Sequence, residues 1–288
     1  IAGDDDQAIF EWAGADTKRL QLIGGKRQVL TQSYRIPRAV HHVAGDLISK
    51  VNDRVQKDWN PKEEEGVVMR HRMRFNNHTD LTKGEWLILA RTNYMLDDVM
   101  DRLKREGMFY TFKNRSSVSD RLIRAVEGWN RLKEGAIDLQ TVKDIYYYIS
   151  GSGRIQHGYK EKLKQMDPAA MYDYESLTVH HGLNVDINLA WDLALDDVPE
   201  SMRMYVNTAL RRNEFNSAKN IRVSTIHASK GSEADNVMLL TDLPRKADLS
   251  VSTKRDDERR VFYVGATRAK KSLHIIESKT DREFTELL

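Results

Sequence analysis

Apolar residues recur along this chain with helical spacing in some stretches and as short continuous runs in others. Residues 37–51 begin with a proline and then carry apolar residues at helical spacing, which predicts an amphipathic helix with a buried stripe. Residues 67–74 alternate apolar and basic side chains, which predicts a half-exposed strand. The run Trp86–Ala90 is apolar throughout, which is typical of a strand covered on both faces.

The segment after Trp86–Ala90 predicts a parallel sheet. Asn93 can cap a helix that ends at Gly107, and a short apolar segment, Met108–Phe112, follows that helix. A strand, a helix and a second strand in this order form a βαβ unit. The helix brings the chain back to the end of the sheet where the first strand began, so the two strands run parallel.

The α/β pattern is then interrupted and resumes later in the chain. Residues 114–219 show helical periodicity and no convincing strand alternation. From Ile221 onward, two apolar runs, a helix containing Phe262 and Tyr263, and the run Leu273–Ile276 restore the α/β pattern. We therefore predict an α/β domain interrupted by a helical insertion that is large enough to form a subdomain.

Composition narrows the class of protein but does not assign a function. The chain is 40% hydrophobic and 31% charged, which favours a globular protein, and no run of about 18 apolar residues predicts a membrane span. The absence of cysteine excludes disulfides and thiolate metal sites, so we expect a soluble protein of a reducing, cytoplasmic compartment. A net charge of +3 permits a polyanionic partner without requiring one.

Four segments, spaced along almost the whole chain, carry residues suited to binding nucleotide or nucleic acid. They are "GDDDQAIFEWAGAD" (Gly3–Asp16), "LTQSYRIP" (Leu30–Pro37), "VSTIHASKGSEADNV" (Val223–Val237) and "DDERRVFYVGATRAKKSLHII" (Asp256–Ile276). In the first segment, two aromatic residues lie two positions apart, so an extended backbone would project both rings from one face, where bases could stack. In isolation, such a pair would more simply be part of a core.

Together the four segments resemble motifs III, IV, V and VI of the UvrD/Rep-like superfamily 1 DNA helicases, and they occur in that order. The last segment matches over nearly its full length and is the most specific. The resemblance implies a P-loop NTPase fold, in which a RecA-like parallel-sheet domain, the second motor domain, is interrupted by a helical insertion. It also implies an ATP-dependent DNA helicase and single-strand DNA translocase, with 3′-to-5′ polarity.

The resemblance also divides the chain into domains. Residues 1–27 would be the end of the first RecA-like domain, and residues 28–113 and 220–288 the two parts of the second. Residues 114–219 would be the helical insertion, which is similar to the 2B subdomain of the family.

By the same resemblance, five residues are assigned to the ATP site. Gln7 would sense the terminal phosphate, Tyr34 would stack on adenine, and Arg35 would reach the γ-phosphate. Glu233 would contact the nucleotide sugar. Arg268 would be the arginine finger, a cation placed against the charge that develops on the transferred phosphoryl group. Gln7, Arg35 and Arg268 are thus the predicted catalytic residues.

Five further residues are assigned to DNA. Phe10 and Trp12 would stack on successive bases, and Thr225, His227 and Lys230 would contact the strand. Thr225 and His227 would also couple the two motor domains. The implied partner is single-stranded DNA or a single-strand to duplex junction. Because residues 1–25 would be severed from their own sheet, we expect Phe10 and Trp12 to be displaced from a DNA-competent position.

No protein metal site is predicted within this sequence. The consecutive residues Asp4, Asp5 and Asp6 are interpreted as a solvated turn, because neighbouring carboxylates do not readily converge on one ion. The chain opens on Ile1 in a turn-rich acidic stretch, which we interpret as a truncation. The sequence contains no G-x-x-x-x-G-K-[ST] pattern, so we expect the phosphate-binding loop and the Mg²⁺ ligands in an N-terminal RecA-like domain that is the chain's main partner.

Two functions remain open at this point. The intact protein is expected to be an ATP-dependent helicase acting in the bacterial nucleoid or in a phage-infected cell, and this segment alone is expected to be inactive. The alternative is a naturally truncated, non-catalytic module that binds single-stranded DNA or a helicase and regulates it. The sequence upstream of Ile1 would discriminate between the two.

Overall fold

The computed structural model describes residues 3–10, 13–14, 22, 24, 28–71, 79–151, 153–216, 220–278 and 280–288, apart from the side chains of residues 216 and 249–254. The chain forms two compact units. The first comprises residues 1–101, 110–113 and 220–288, and the second comprises residues 102–109 and 114–219. Within the described ranges, no helix combines the length and the apolar character that crossing a membrane requires.

The strands, in chain order, are β1 (Val67–His71), β2 (Trp86–Ala90), β3 (Thr111–Phe112), β4 (Arg115–Ser116), β5 (Ile137–Asp138), β6 (Met171–Tyr172), β7 (Ile221–Thr225), β8 (Ala234–Leu240) and β9 (Ala269–Ile276).

The α-helices are α1 (Arg38–Ser49), α2 (Asp97–Arg105), α3 (Asp120–Leu132), α4 (Leu139–Tyr147), α5 (Tyr159–Lys162), α6 (Tyr174–His180), α7 (Trp191–Ala194), α8 (Glu200–Arg211) and α9 (Arg245–Ala266). Single 3₁₀ turns occur at Asp5–Gln7, Asn93–Leu96, Leu163–Gln165, Glu214–Asn216 and Thr285–Leu287.

Six strands of the first unit form a parallel sheet in the order β1-β9-β8-β2-β7-β3. All five residues of β2 are buried, as expected for a central strand covered on both faces. Alternate residues of β2, β8 and β9 pack in one core with α1 and α9. The predicted RecA-like α/β fold, with its parallel sheet, is confirmed.

The first helix of this unit follows directly from its sequence. Pro37 caps α1, and the helix buries Val40, Ala44, Leu47 and Ile48 along one stripe. The predicted cap at Asn93 is wrong, because Asn93 begins a 3₁₀ turn and α2 starts only at Asp97. Polar residues of this type compete for local backbone hydrogen bonds, so the sequence pattern locates such a boundary poorly.

The second unit packs its helices around a separate core. Ser119 caps α3 by accepting a hydrogen bond from the Leu122 amide at 3.2 Å, and Asp138 caps α4 through the Thr141 amide at 3.0 Å. The fully buried Trp129 lies in this core, which consists mainly of helical side chains. Residues 114–219 also contain short strand pairing that the sequence analysis did not predict, since β5 and β6 pair antiparallel over two residues.

Candidate nucleotide and nucleic-acid site

The Arg268 side chain is buried just after α9, where the chain turns into β9. It is 1% exposed, and its guanidinium donates to neutral oxygen atoms: the Val264 carbonyl at 2.9 Å, the Ser232 carbonyl at 3.3 Å and the Gln7 side-chain Oε1 at 3.2 Å. Burial, and then the nearby charge of Arg35, lower the pKa of Arg268 to about 10. Arg268 is therefore a cation at neutral pH whose environment disfavours its charge.

Gln7 connects three of the sequence segments that resemble helicase motifs. Its Nε2 donates to the Asp4 carboxylate at 2.6 Å, while its Oε1 accepts from Arg268. Its backbone carbonyl accepts from the Lys230 ammonium group at 2.8 Å. The Gln7 amide is thus fixed between an anion and a cation, with its donor and acceptor ends distinguished.

Arg35 lies in the same neighbourhood as Arg268. The hydroxyl of Ser33 accepts from the Arg35 and Ile36 amides at 3.3 and 3.2 Å, which shapes the turn before α1. The Arg35 Nη1 is 3.7 Å from the Glu233 carboxylate, and its Nε is buried without a hydrogen-bond partner among the described residues. The neighbouring Tyr34 is 89% exposed. The site thus contains two neighbouring arginines, and Arg35 has a guanidinium nitrogen free to donate to an anion.

A second group of predicted residues gathers around Phe10. The Phe10 ring meets the His227 ring edge-on at a centroid distance of 5.8 Å, and the Lys230 ammonium group lies 5.5 Å from the Phe10 centroid. Ile9 is buried in the core of the first unit and holds this segment in place. Phe10 therefore contacts two residues of the segment that resembles motif V, while its expected displacement from a DNA-competent position stays a prediction. Trp12 lies outside the described residues.

The loop after β7 begins with a local cap. Thr225 ends β7, and its Oγ1 accepts from the Ala228 amide at 3.2 Å. Gly231 has φ of +86°, and a Cβ added there would meet no atom within 4 Å, so backbone conformation rather than space favours glycine at this position. The loop therefore brings His227 and Lys230 to Phe10, and its backbone includes a positive φ at Gly231 that favours glycine.

The acidic turn differs from the sequence-based expectation. Asp5 and Asp6 are buried, and carboxylate oxygens from Asp4, Asp5 and Asp6 lie within 4.8 Å of one another. Both oxygens of Asp6 accept from Arg54, at 2.8 and 2.7 Å, and the Lys57 ammonium group contacts all three carboxylates. The interpretation as a solvated, non-converging turn is wrong, because two cations from the segment after α1 draw the carboxylates together.

Sequence reasoning missed an ion pair beside His227. Arg91 follows β2 directly and donates through Nε and Nη2 to both oxygens of Glu258, at 2.8 and 2.9 Å. Burial lowers the pKa of His227, and the charge of Arg91 lowers it further, while Glu258 opposes the shift. Arg91 could have been found from its place at the carboxyl end of a parallel strand, where ligand-binding residues concentrate in α/β folds.

Comparison with known proteins supports the same class of protein. Residues 196–280 match the UvrD-like helicase C-terminal domain family. The chain is 22% identical to a probable DNA helicase II homolog of Rickettsia conorii, over 99% of this chain and 57% of that protein. It is 25% identical to F-box DNA helicase protein 1 of Schizosaccharomyces pombe, over 97% of this chain and 31% of that protein. DNA helicase II of Rickettsia typhi is 35% identical, over 26% of this chain and 12% of that protein.

The chain thus spans little more than half of the first of these relatives and less than a third of the other two. The parallel sheet and the arrangement of its helices define an α/β domain of the RecA-like helicase type. The chain contains a UvrD-like helicase C-terminal region, which confirms the resemblance found in the sequence.

Proposed function

We propose that this chain supplies the second motor domain and half of the ATP site of an ATP-dependent DNA helicase that moves along single-stranded DNA. The observation that carries the proposal is the buried Arg268 guanidinium, which contacts Gln7 and lies close enough to Arg35 for their charges to repel. A buried cation and a partly exposed one beside a fixed amide fit a polyphosphate, because its negative charge would relieve their repulsion.

In the proposed site, each residue has a defined task. Arg268 and Arg35 stabilise the charge that develops on the transferred phosphoryl group, and the Gln7 amide senses that group. The exposed ring of Tyr34 stacks on adenine, and Glu233 contacts the sugar. The residues present fit the nucleotide but not its metal, because the acidic turn already binds Arg54 and Lys57. Mg²⁺ and the phosphate-binding loop are assigned to another segment, so the 288 residues alone are proposed not to hydrolyse ATP.

The proposed DNA contacts lie on Phe10, Trp12, Thr225, His227 and Lys230. The contacts that join Phe10, His227 and Lys230, together with the bond from Lys230 to the Gln7 carbonyl, support a path from nucleotide to DNA. Closure of the ATP site would then be converted into steps along the strand. We propose 3′-to-5′ movement and a cytoplasmic location on the bacterial nucleoid or in a phage-infected cell.

The proposal is tested by joining this chain to a first motor domain that carries the phosphate-binding loop, and by measuring DNA-stimulated ATP hydrolysis. Arg268→Ala should lower kcat by roughly 10³-fold or more, because an arginine finger contributes factors of about 10³ to 10⁵. Arg211→Ala, an exposed arginine in the second unit, is the matched control and should retain the rate. Hydrolysis retained in Arg268→Ala, or absent from the joined wild-type protein, would contradict the proposal.

A further inference from the structure

Two cations from the segment that follows α1 bind the acidic turn. Arg54 forms a two-point ion pair with Asp6, and the two side chains are 7% and 2% exposed. The Lys57 ammonium group lies 2.7 Å from an Asp4 oxygen and 3.0 Å from an Asp6 oxygen, and it also contacts Asp5. Residues 52–57 thus neutralise much of the charge of a turn that would otherwise concentrate three anions.

The surroundings of Asp5 and Lys57 favour the charged form of each. Burial raises the pKa of the Asp5 carboxyl, but hydrogen bonds from Lys57 and from the Val55 amide, at 2.6 Å, outweigh it, so the net shift is downward. Burial lowers the pKa of Lys57, but the hydrogen bonds that Lys57 donates to Asp4 and Asp5 outweigh it, and the net shift is upward. The contact between Asp5 and Lys57 is therefore an ion pair and not a neutral hydrogen bond.

Asp4 links Lys57 to the Gln7 side chain through hydrogen bonds to its two carboxylate oxygens. One Asp4 oxygen accepts from Lys57 at 2.7 Å and the other accepts from the Gln7 Nε2 at 2.6 Å. The opposite end of the Gln7 amide, Oε1, accepts from Arg268. A flipped amide would place its oxygen against the Asp4 carboxylate and its NH₂ group against the Arg268 guanidinium, and both contacts would be repulsive.

The same segment is anchored to the helix that leads to Arg268. The backbone carbonyl of Asp53 accepts from the Arg260 guanidinium, and the Asn52 amide donates to the Asp256 carboxylate at 3.0 Å. Arg260 and Asp256 both belong to α9, which ends just before Arg268. Residues 52–57 therefore connect both partners of the Gln7–Arg268 contact.

We propose that Lys57 and Arg54 are positioning residues, which hold the acidic turn so that the Gln7 amide presents its oxygen to Arg268 and its NH₂ group to Asp4. Neither cation touches the proposed nucleotide site, and both act through the turn. The orientation of the amide stands on the contacts described above, whereas its consequence for ATP hydrolysis rests on the proposed function.

The orientation is tested in the 288-residue chain by NMR of the Gln7 side-chain amide. Lys57→Met should shift the Gln7 Nε2 resonances upfield and speed their exchange with water at least about tenfold, because the hydrogen bond to Asp4 loosens. Lys57→Arg should retain the wild-type signals. Lys62→Met, which removes a partner of the exposed Glu64, is the matched control and should leave them unchanged.

Unchanged Gln7 signals in Lys57→Met would overturn the proposal. Should Lys57→Met fail to fold, Asp4→Asn takes its place, because Asp4 is half-exposed and its replacement removes the anion that holds both Lys57 and Gln7. In a folded Asp4→Asn chain the same upfield shift is expected, and a wild-type Gln7 signal would again overturn the proposal.

The consequence for hydrolysis is tested in the protein joined to a first motor domain. Lys57→Met should lower kcat by roughly tenfold to a hundredfold while KM for ATP stays within about twofold, because a misplaced group affects the reacting state most. In a Gln7→Ala background, Lys57→Met should have no further effect. An equal loss in both backgrounds would show that Lys57 does not act through Gln7. A wild-type protein without hydrolysis would refute the proposed function, while the amide signals would still decide the orientation.

Discussion

The buried pair of Arg54 and Asp6 allows a stability prediction that can be worked from the structure. Arg54→Met keeps the length of the side chain but removes both hydrogen bonds to Asp6, at 2.8 and 2.7 Å. Removing one partner of a buried ion pair costs about 3 to 5 kcal/mol, because the other charge is left uncompensated. Asp6 keeps its contact with Lys57 at 3.0 Å, so we expect the lower end, about 3 kcal/mol.

The double variant Arg54→Met/Asp6→Asn separates the energy of the ion pair from the cost of leaving one buried charge unpaired. With the anion removed as well, no buried charge is left unpaired, so we expect a loss of only about 1 kcal/mol. The double variant should therefore be about 2 kcal/mol more stable than Arg54→Met alone, as expected for two residues in direct contact whose effects do not add.

The measurement is native-state hydrogen exchange of the β2 amides, because the two compact units need not unfold together. A loss of 3 kcal/mol corresponds to exchange faster by roughly a hundredfold. Lys83→Met, which removes an exposed partner of Asp80, is the control and should change stability by less than about 1 kcal/mol. An Arg54→Met effect as small as that of the control would refute the assigned role of burial.

Three further predictions concern other parts of the chain. Gly107→Ala should destabilise the second unit by about 2 kcal/mol or more in urea, because φ is +70° and the new Cβ would lie 2.7 Å from backbone atoms of α8. Asp5→Asn should weaken the loss of stability on acidification below about pH 4, since a lowered carboxyl pKa stabilises the fold above the unfolded value and that stability is lost as pH falls. Arg91→Gln should raise the pKa of His227, measured by NMR titration, because a neighbouring cation is removed.

Each of these predictions has its own control or opposing result. Gly135→Ala meets no atom within 4 Å and should be close to neutral, so equal effects at Gly107 and Gly135 would contradict the steric argument. An Asp5→Asn chain that loses stability as steeply as wild type between pH 5 and pH 3 would contradict the assigned pKa direction. A His227 pKa that stays constant or falls in Arg91→Gln would exclude Arg91 as a source of its shift.

Some elements could be predicted from the sequence because their signals are local. The apolar spacing of residues 37–51 and the continuous run Trp86–Ala90 each report burial of the segment itself, and both elements form as predicted. The start of α2 could not be predicted, since Asn93 suits either a helix cap or a 3₁₀ turn. The pairing of β5 with β6 joins segments far apart in sequence and has no periodic signal over two residues.

The candidate site, like the fold, could be predicted from the sequence only in part. The four motif-like segments identified the residues, and the structure brings Gln7, Arg35, Glu233 and Arg268 into one neighbourhood. Their roles in binding ATP and DNA remain predictions. The acidic turn was misinterpreted because its partners, Arg54 and Lys57, lie some fifty residues away and have no pattern of their own.

The sequence by itself determined the class of this protein, since ordered motifs and periodic burial are properties of short segments that survive without knowledge of the fold. Only the tertiary structure decided the charge state and orientation of the site. Whether a carboxylate is solvated, or which way the Gln7 amide faces, depends on which distant cations the fold brings within about 3 Å. Electrostatic energy depends on distance and burial, and the order of residues along the chain specifies neither directly.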